Sequence, residues 1–449
     1  MRFLETLVTK KIAIIGAGVT GTAVLNFLIE RGIEADIFDE KAPVARHEIV
    51  SSYDLAIVSP GWQRSHPMIE QLRSMGADLL SEIDFSWKVK QEIAPDQKWI
   101  ALTGTNGKTT TIQMMQSIFD HSSKRGIVCG NVGEPVISAL GLEENFDYLA
   151  LELSSFQLEW SEHAQYEAVA LLNIAPDHLD WHGSFDEYVL AKLKLLDSGK
   201  LAVINGEDSE SVLRSSAWSG RKVFYFLNTP QAGELGLVDN LLVDRAFTGN
   251  SNEAIDFAEL SDIHPAVPHN VANALAAAGL ALAIGITHEE IRDGLKNFRL
   301  DRHRLEHILE NDGIDWVNDS KATNPHAASA ALMSHLSSIW IAGGLAKGAA
   351  MEPLIERCAA RIKAAILIGQ DASIIATALS KIAPHIPYFI IPFNGDSQDL
   401  MRQVVLKAQE LATSGDTVLL APACASMDQF SDYVERGDTF VEMVRKVVG

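Results

Sequence analysis

A chain of 449 residues exceeds what one hydrophobic core usually organises, so two or three domains are expected. Its composition, 47% apolar and 21% charged, is that of an ordinary globular protein. A formal net charge of -22 repels phosphate backbones and anionic lipid, which argues against nucleic acid and membrane as partners. Any anionic substrate must therefore be met by Lys and Arg gathered locally.

The three cysteines, Cys129, Cys358 and Cys424, lie far apart without CxxC spacing, too sparse for a disulfide framework and fitting a reducing compartment. The opening MRFLETLVTKK runs into a strand-like segment without the apolar block of a signal peptide. No apolar run reaches the roughly 18–20 residues that cross a bilayer. A soluble, cytoplasmic protein is expected.

Short β-rich apolar runs alternate with helical patterns along the chain, the signature of an α/β fold with parallel layers. Three stretches separate. The first, residues 1–94, opens with KIAIIG (Lys11–Gly16) and the helix-compatible TAVLNFLIERG, then the strand-like ADIFD and DLAIVSP. Gly16, Gly18 and Gly21 complete G-x-G-x-x-G between strand and helix, and Asp39 ends the next strand where a ribose-binding acid belongs. Fewer than about 100 residues precede the next unit, room for one mononucleotide half but not a full dinucleotide fold. The loop can hold a nucleotide-linked ligand, hold a nicotinamide cofactor, or simply make a turn.

The second stretch, residues 95–300, carries the strongest local signal, WIALTGTNGKTTT (Trp99–Thr111). A strand ends at Thr103, Gly104 and Gly107 bend the chain, and the helix-compatible TTIQMMQSIF follows. Free N–H groups and a helix N-terminus then converge on one point, which suits a polyphosphate. Lys108 reaches the β/γ-phosphates in such a loop and Thr109 offers its hydroxyl to Mg2+. Leu102 stands where the strict pattern G-x-x-x-x-G-K-S/T wants a first glycine, so a plain strand-to-helix turn with a solvated lysine is the alternative.

Further along, Glu152 follows the strand YLAL and His178 sits in NIAPDHLDWHGS after another strand. Both fall at carboxyl ends of parallel strands, where α/β folds assemble their sites, and both are candidate metal ligands. Taken singly, they read as a surface carboxylate and a capping or core histidine. Lys192, in FDEYVLAKLKLL, reads from its residues alone as solvated beside an apolar face of Tyr188, Leu195 and Leu196. KLAVINGED and the helix-like PHNVANALAAAGLALAIG complete the stretch. The third, residues 301–449, opens with a hairpin, HRLEHILE-NDG-IDWVND, whose turn residues tolerate positive φ. SSIWIAGG, AAILIGQD, PYFIIP and DTVLLAPA follow as strands between helices.

GTNGKTT, ELSSFQL, NIAPDHLDWHGS, PHNVANALAA, HRLE, NDSKATN and PACASMDQF together, in this order and over essentially the whole chain, resemble the Mur ligases of peptidoglycan synthesis. DSKATN and ACASMDQF resemble the D-glutamate-adding branch in particular. The resemblance implies three domains: a Rossmann-like UDP-binding domain, a central P-loop ATPase-type domain, and a C-terminal Rossmann-like domain for the incoming amino acid. It implies ATP as co-substrate, two Mg2+ sites, UDP-N-acetylmuramoyl-L-alanine and D-glutamate as substrates, and a monomer. Gly18, Val19, Thr20, Asp39, Ser59 and Gly61 would lie about the UDP group, with Asn131 and His178 near the rest of that substrate. Gly104, Thr105, Asn106, Gly107, Lys108, Thr109, Thr110, Asn273, Arg304 and Asp319 correspond to ATP contacts. Thr109, Glu152, His178 and Lys192, the last as a carbamate, would ligate the metal; Lys321, Thr323, Lys347, Ser426, Met427 and Tyr433 would form the D-glutamate pocket. The chain departs from the family pattern at Trp181, often Arg, at Leu345 and Ala346, often acidic, and at Tyr433, where Phe occurs. A folylpolyglutamate-synthase-like ligase and a P-loop ATPase without an amide product are the rival readings.

Overall fold

The computed structural model describes residues 2–42, 45–142 and 144–449. The chain is α/β, with three sheets distributed over two compact units. One unit comprises Met1–Ile174 and Trp181–Phe298; the other comprises Ala175–Asp180 and Arg299–Gly449. The six residues from Ala175 to Asp180 therefore belong with the C-terminal unit although both flanks belong to the other.

In the first unit, β1 (Ile12–Ile15), β2 (Ala35–Phe38), β3 (Leu55–Val58) and β4 (Asp78–Ser81) form a parallel sheet in the order β2-β1-β3-β4. All four residues of β1 and of β3 are buried, the continuous apolar run expected of strands covered on both faces. The order reverses between β1 and β3, which leaves a crevice at their carboxyl ends. Gly16, at φ +100°, and Ser59 stand there. Gly21, in the helix Val19–Ile29 that follows, faces the Gly16 carbonyl so closely that a Cβ would overlap it.

The larger sheet of this unit contains β5 (Lys98–Thr103), β6 (Gly126–Gly130), β7 (Tyr148–Glu152), β8 (Ala168–Leu171), β9 (Leu201–Asn205), β10 (Arg221–Tyr225), β11 (Leu235–Val238), β12 (Leu241–Asp244) and β13 (Ile255–Glu259). Its order is β13-β12-β11-β10-β9-β8-β5-β7-β6, parallel from β6 through β11 and antiparallel at β11–β12–β13. The strand β5, between β8 and β7, is buried from Trp99 to Thr103. Helix Lys108–Asp120 follows it and packs against the small-residue helix Pro268–Ala283, which has Pro at its first turn. One apolar core joins both sheets of the unit, from Ile14, Val24 and Phe85 to Leu151, Val169 and Tyr188.

In the second unit, β14 (Glu306–Asn311), β15 (Ile314–Asn318), β16 (Ser338–Gly343), β17 (Ile362–Ile368), β18 (Tyr388–Ile390) and β19 (Thr417–Leu420) take the order β14-β15-β19-β16-β17-β18. β14 and β15 are the hairpin, with Asp312 at φ +55° and Gly313 at φ +74° in its two-residue turn. The remaining pairs are parallel, and separate apolar clusters cover the two faces.

The contact at Gly21 yields a stability prediction. Gly21→Ala forces the glycine loop away from its helix and lowers the free energy of unfolding by about 1–3 kcal/mol, read from urea denaturation. An unchanged midpoint would mean that the loop has slack.

Candidate functional site

The loop after β5 is held open by its neighbours. Thr105 N–H donates to the Asn173 carbonyl (2.9 Å), Asn106 N–H donates to Asn173 Oδ1 (2.8 Å), and Asn173 Nδ2 donates back to the Asn106 carbonyl (3.0 Å). Gly107 sits at φ +82° as the N-cap of the following helix, where a Cβ would run into the Asn273 amide. Lys108 Nζ folds back to the carbonyls of Gly104 (2.8 Å) and Thr105 (3.0 Å). Thr109 and Thr110 fill the first helical turn, whose N–H groups have no acceptor within the helix. This is the geometry of an anion cradle.

Lys192 is buried, with 1% of its surface exposed, which overturns the solvated reading of that residue. Its ammonium donates to the same Gly104 carbonyl that Lys108 uses (2.8 Å), approaches Thr103 Oγ1 (3.5 Å) and lies over the Tyr188 ring (4.7 Å). The helix Phe185–Asp197 places Tyr188, Lys192, Leu195 and Leu196 on one face at spacings of three and four, a periodicity that carries Lys192 inward. Lys194 is the half-exposed lysine instead, and donates to the Glu159 carbonyl (2.7 Å). Tyr188 also shares a hydrogen bond with Thr105 Oγ1 (2.8 Å), and His182, in contact with its ring, bonds Ser155 Oγ (2.9 Å). Asn173, Tyr188 and His182 were not singled out from sequence. The signal for Tyr188 was its four-residue spacing to Lys192; that for Asn173 was its place two residues after a strand.

Glu152 ends β7 beside β5 with 1% of its surface exposed. Its Oε1 accepts from Asn131 Nδ2 (2.9 Å), while Oε2 is buried without a hydrogen-bond partner among the described residues. A carboxylate oxygen left so is poised for a cation, because burial without a partner is costly. Among the described residues no three His, Cys, Asp or Glu side chains gather as a ready-made metal site. A single buried carboxylate with one unpartnered oxygen is compatible with Mg2+, which takes few carboxylates and fills its octahedron with water and substrate phosphates.

At the first sheet, the Asp39 carboxylate accepts from Ala17 N–H (2.9 Å), Lys41 N–H (2.8 Å) and Ala42 N–H (3.2 Å). The Ala17 amide, then that of Lys41, holds its carboxyl below the usual range. Gly18 caps the helix begun by Val19 and Thr20, and Val19 is largely exposed at the mouth of the crevice. Ser59 Oγ reaches the Gly16 carbonyl (3.4 Å). The Trp181 indole donates to the Gly61 carbonyl (3.2 Å), while Gln63 Nε2 donates to the Trp181 carbonyl (2.7 Å). The loop from Ser59 is thus tied to the turn that follows His178 in sequence. His178 itself lies on the Ala175–Asp180 segment of the second unit at φ +52°, its Nε2 3.7 Å from Asp177 Oδ2.

In the second unit Asp319, Lys321, Thr323, Lys347, Ser426 and Met427 follow the carboxyl ends of β15, β16 and β19, while Arg304 precedes β14 and Tyr433 opens the helix Tyr433–Val447. Asp319 follows β15; its backbone N–H donates to the Leu420 carbonyl (2.8 Å) and its Oδ1 accepts from Leu305 N–H (3.3 Å). Burial pushes its carboxyl up to about 7, against the opposing effects of the Leu305 amide and the Arg304 charge. Lys321 Nζ stands 3.8 Å over the Tyr433 ring, and Thr323 N–H turns back to the Lys321 carbonyl (2.8 Å). Leu345 and Ala425 exchange backbone hydrogen bonds (2.8 and 3.0 Å), which sets the Lys347 loop beside buried Ser426 and exposed Met427.

Two family models match this chain, the Mur ligase middle domain over residues 102–281 and the Mur ligase glutamate ligase domain over residues 303–424. A UDP-N-acetylmuramoylalanine–D-glutamate ligase of Thermobifida fusca is 41% identical, over 98% of this chain and 99% of its own. The ligase of the same name from Streptomyces avermitilis is 43% identical, over 87% of this chain and 84% of its own. Among solved structures, a pseudomurein peptide ligase type C from Methanothermus fervidus superposes with a TM-score of 0.60 at 18% identity, covering 98% of this chain and all of its own. A UDP-N-acetylmuramate–alanine ligase from Thermotoga maritima gives 0.58 at 17%, covering 97% and 99%.

The Asp319 environment predicts a pH-dependent effect. Its folded-state pKa lies above the unfolded one, so the folded state holds the proton more tightly and loses stability as pH rises from about 4 to about 7. Asp319→Asn keeps the acceptor for Leu305 N–H and removes the carboxylate. The variant is expected to melt higher than the parent at pH 8, with the difference shrinking to nothing near pH 4. A pH-independent difference would contradict the burial account.

Proposed function

The chain belongs to the Mur ligase family, and on that premise we propose that it joins D-glutamate to the L-alanine carboxylate of UDP-N-acetylmuramoyl-L-alanine at the expense of ATP. A carboxylate resists amide formation because it is an anion with a poor leaving group. Attack of a carboxylate oxygen on the γ-phosphorus of ATP expels ADP and leaves an acyl phosphate. The neutral amine of D-glutamate then adds to the acyl carbon, and the tetrahedral intermediate collapses to amide and inorganic phosphate.

Such chemistry asks for positioning and charge neutralisation more than for covalent participation by the protein. The observation that carries the reading is the phosphate loop, on whose Gly104 carbonyl Lys108 and buried Lys192 both close. Lys108, with the loop from Gly104 to Thr110 and Asn273, is assigned to the polyphosphate; Arg304 and Asp319 are assigned to the nucleotide as well. The resemblance gives Lys192 as a carbamate, which would place anionic oxygens suited to Mg2+ beside the phosphate loop. Thr109, Glu152, His178 and carbamylated Lys192 would hold Mg2+, which would neutralise developing charge on the phosphate oxygens.

Residues 1–94 are assigned to the UDP substrate through Gly18, Val19, Thr20, Asp39, Ser59 and Gly61, with Asn131 and His178 toward the reacting end. Residues 95–300 are assigned to ATP, and residues 301–449 to D-glutamate, with Lys321 and Lys347 paired to its carboxylates and Thr323, Ser426, Met427 and Tyr433 shaping the pocket. ATP as co-substrate fits a cytoplasmic enzyme, and no helix among the described residues is long and apolar enough to cross a membrane.

The decisive assay follows ADP and phosphate release with the UDP substrate and Mg-ATP, adding D-glutamate, L-glutamate or no amino acid. Release that requires D-glutamate, with a product heavier by one glutamyl residue, is the expected result. Release without amino acid would favour a plain ATPase, and turnover of only L-glutamate on a folate acceptor would favour the folate enzyme. Lys108→Ala should lower turnover by at least about 10²–10³-fold, the scale for loss of a charge-stabilising group; near-parent activity would remove the phosphate-loop assignment. Lys192→Ala should be severely impaired and partly restored by short-chain carboxylic acids, and full activity in the plain variant would return Lys192 to a structural role.

A further inference from the structure

We propose that Arg436 is the positioning residue of the amino-acid pocket, its buried guanidinium fixing the three loops that carry the pocket's side chains. The proposal rests on the assignment of that pocket to D-glutamate. Arg436 lies in the helix Tyr433–Val447 with 1% of its surface exposed. Its Nε donates to Ser320 Oγ (3.0 Å) and its Nη2 to the Ser320 carbonyl (2.9 Å). Its Nη1 donates to the Cys424 carbonyl (3.1 Å) and approaches that of Gly343 (3.5 Å).

These acceptors stand one on each of the three loops. Ser320 precedes Lys321 and Thr323, Gly343 leads to Lys347, and Cys424 lies two residues before Ser426. Ser320 Oγ in turn donates to the carbonyl of Tyr433 (2.7 Å), so the residue whose ring lies under Lys321 belongs to the same network.

Stability alone does not account for a guanidinium here. A buried cation held only by neutral oxygens loses its hydration, and a methionine-sized apolar side chain could fill such a site without that loss. Among the described residues Arg436 makes no ion pair; the Asp428 carboxylate acts on it only through its field, with Oδ2 taken by the Gln370 backbone N–H (2.7 Å) and Oδ1 buried without a hydrogen-bond partner. Burial lowers Arg436 to about 10, so it remains a cation at neutral pH. What the planar fork supplies is a fixed geometry among three chain segments and a positive field behind a pocket meant for a dicarboxylate.

The test is steady-state kinetics of the full-length enzyme, varying D-glutamate, ATP and UDP substrate in turn, with melting temperature recorded for each variant. Arg436→Lys, which keeps charge but not the fork, is expected to raise KM for D-glutamate by about tenfold while leaving the other two KM values within about twofold. Arg436→Met should raise it further. Ser320→Ala removes one acceptor and should raise it by a smaller factor of the same selectivity, and it decides the matter if both Arg436 variants fail to fold. An unchanged KM for D-glutamate, or equal shifts in all three constants, overturns the proposal. A parent enzyme whose turnover ignores D-glutamate overturns the functional reading beneath it, a failure visible before any substitution is made.

Discussion

The carbonyl oxygen of Gly104 accepts from Lys108 and from Lys192, each at 2.8 Å, where the chain turns from a buried strand into a helix. Two cations at one partly buried point are tolerable only when the surroundings are fixed, since each loses hydration and repels the other. The neighbouring structure provides that fixing. Asn173 clamps the loop backbone from β8, Tyr188 braces Thr105 from the helix that carries Lys192, and Asn273 closes the space over Gly107. On the proposed reading, a polyphosphate entering this loop would meet the Lys108 charge in a backbone that is already fixed.

The same logic recurs at a larger scale. In a molecule of net charge -22, several of the lysines proposed to meet substrate follow the carboxyl ends of parallel strands. Lys108 follows β5, and the loops bearing Lys321, Lys347 and Ser426 follow β15, β16 and β19. Parallel sheets leave their carboxyl ends open for loops while helices cover the faces, so binding groups can vary there without disturbing the cores.

Features encoded in short windows could be read from the sequence. The strand–loop–helix around Lys108 and the Asn-Asp-Gly hairpin are local, since glycine spacing and turn chemistry act over a few residues. The α/β class followed from the alternation of strand and helix patterns. Lys192 was misjudged from its residues alone because its neighbour Lys194 suggested a solvated face, although its spacing to Tyr188 and Leu196 pointed inward. Asn173 and Arg436 were illegible for another reason. Their partners lie 67 and 116 residues away in the chain, at Asn106 and Ser320, and nothing in one sequence reports which distant carbonyl a side chain will meet. Trp181 shows the same limit: its identity signalled a departure, but its bond to Gly61 came only with the fold.

The segment from Ala175 to Asp180 has a consequence for the order in which the protein is made. It belongs with a unit whose remaining residues begin at Arg299, yet it is flanked by Ile174 and Trp181, which belong to the other unit. On the ribosome these six residues emerge more than a hundred positions before the rest of their own unit exists. Domains usually fold as they are released, N-terminal part first. Here the first unit can close around its sheets while this stretch waits without its counterpart, so a later part of the chain completes a segment laid down well before it.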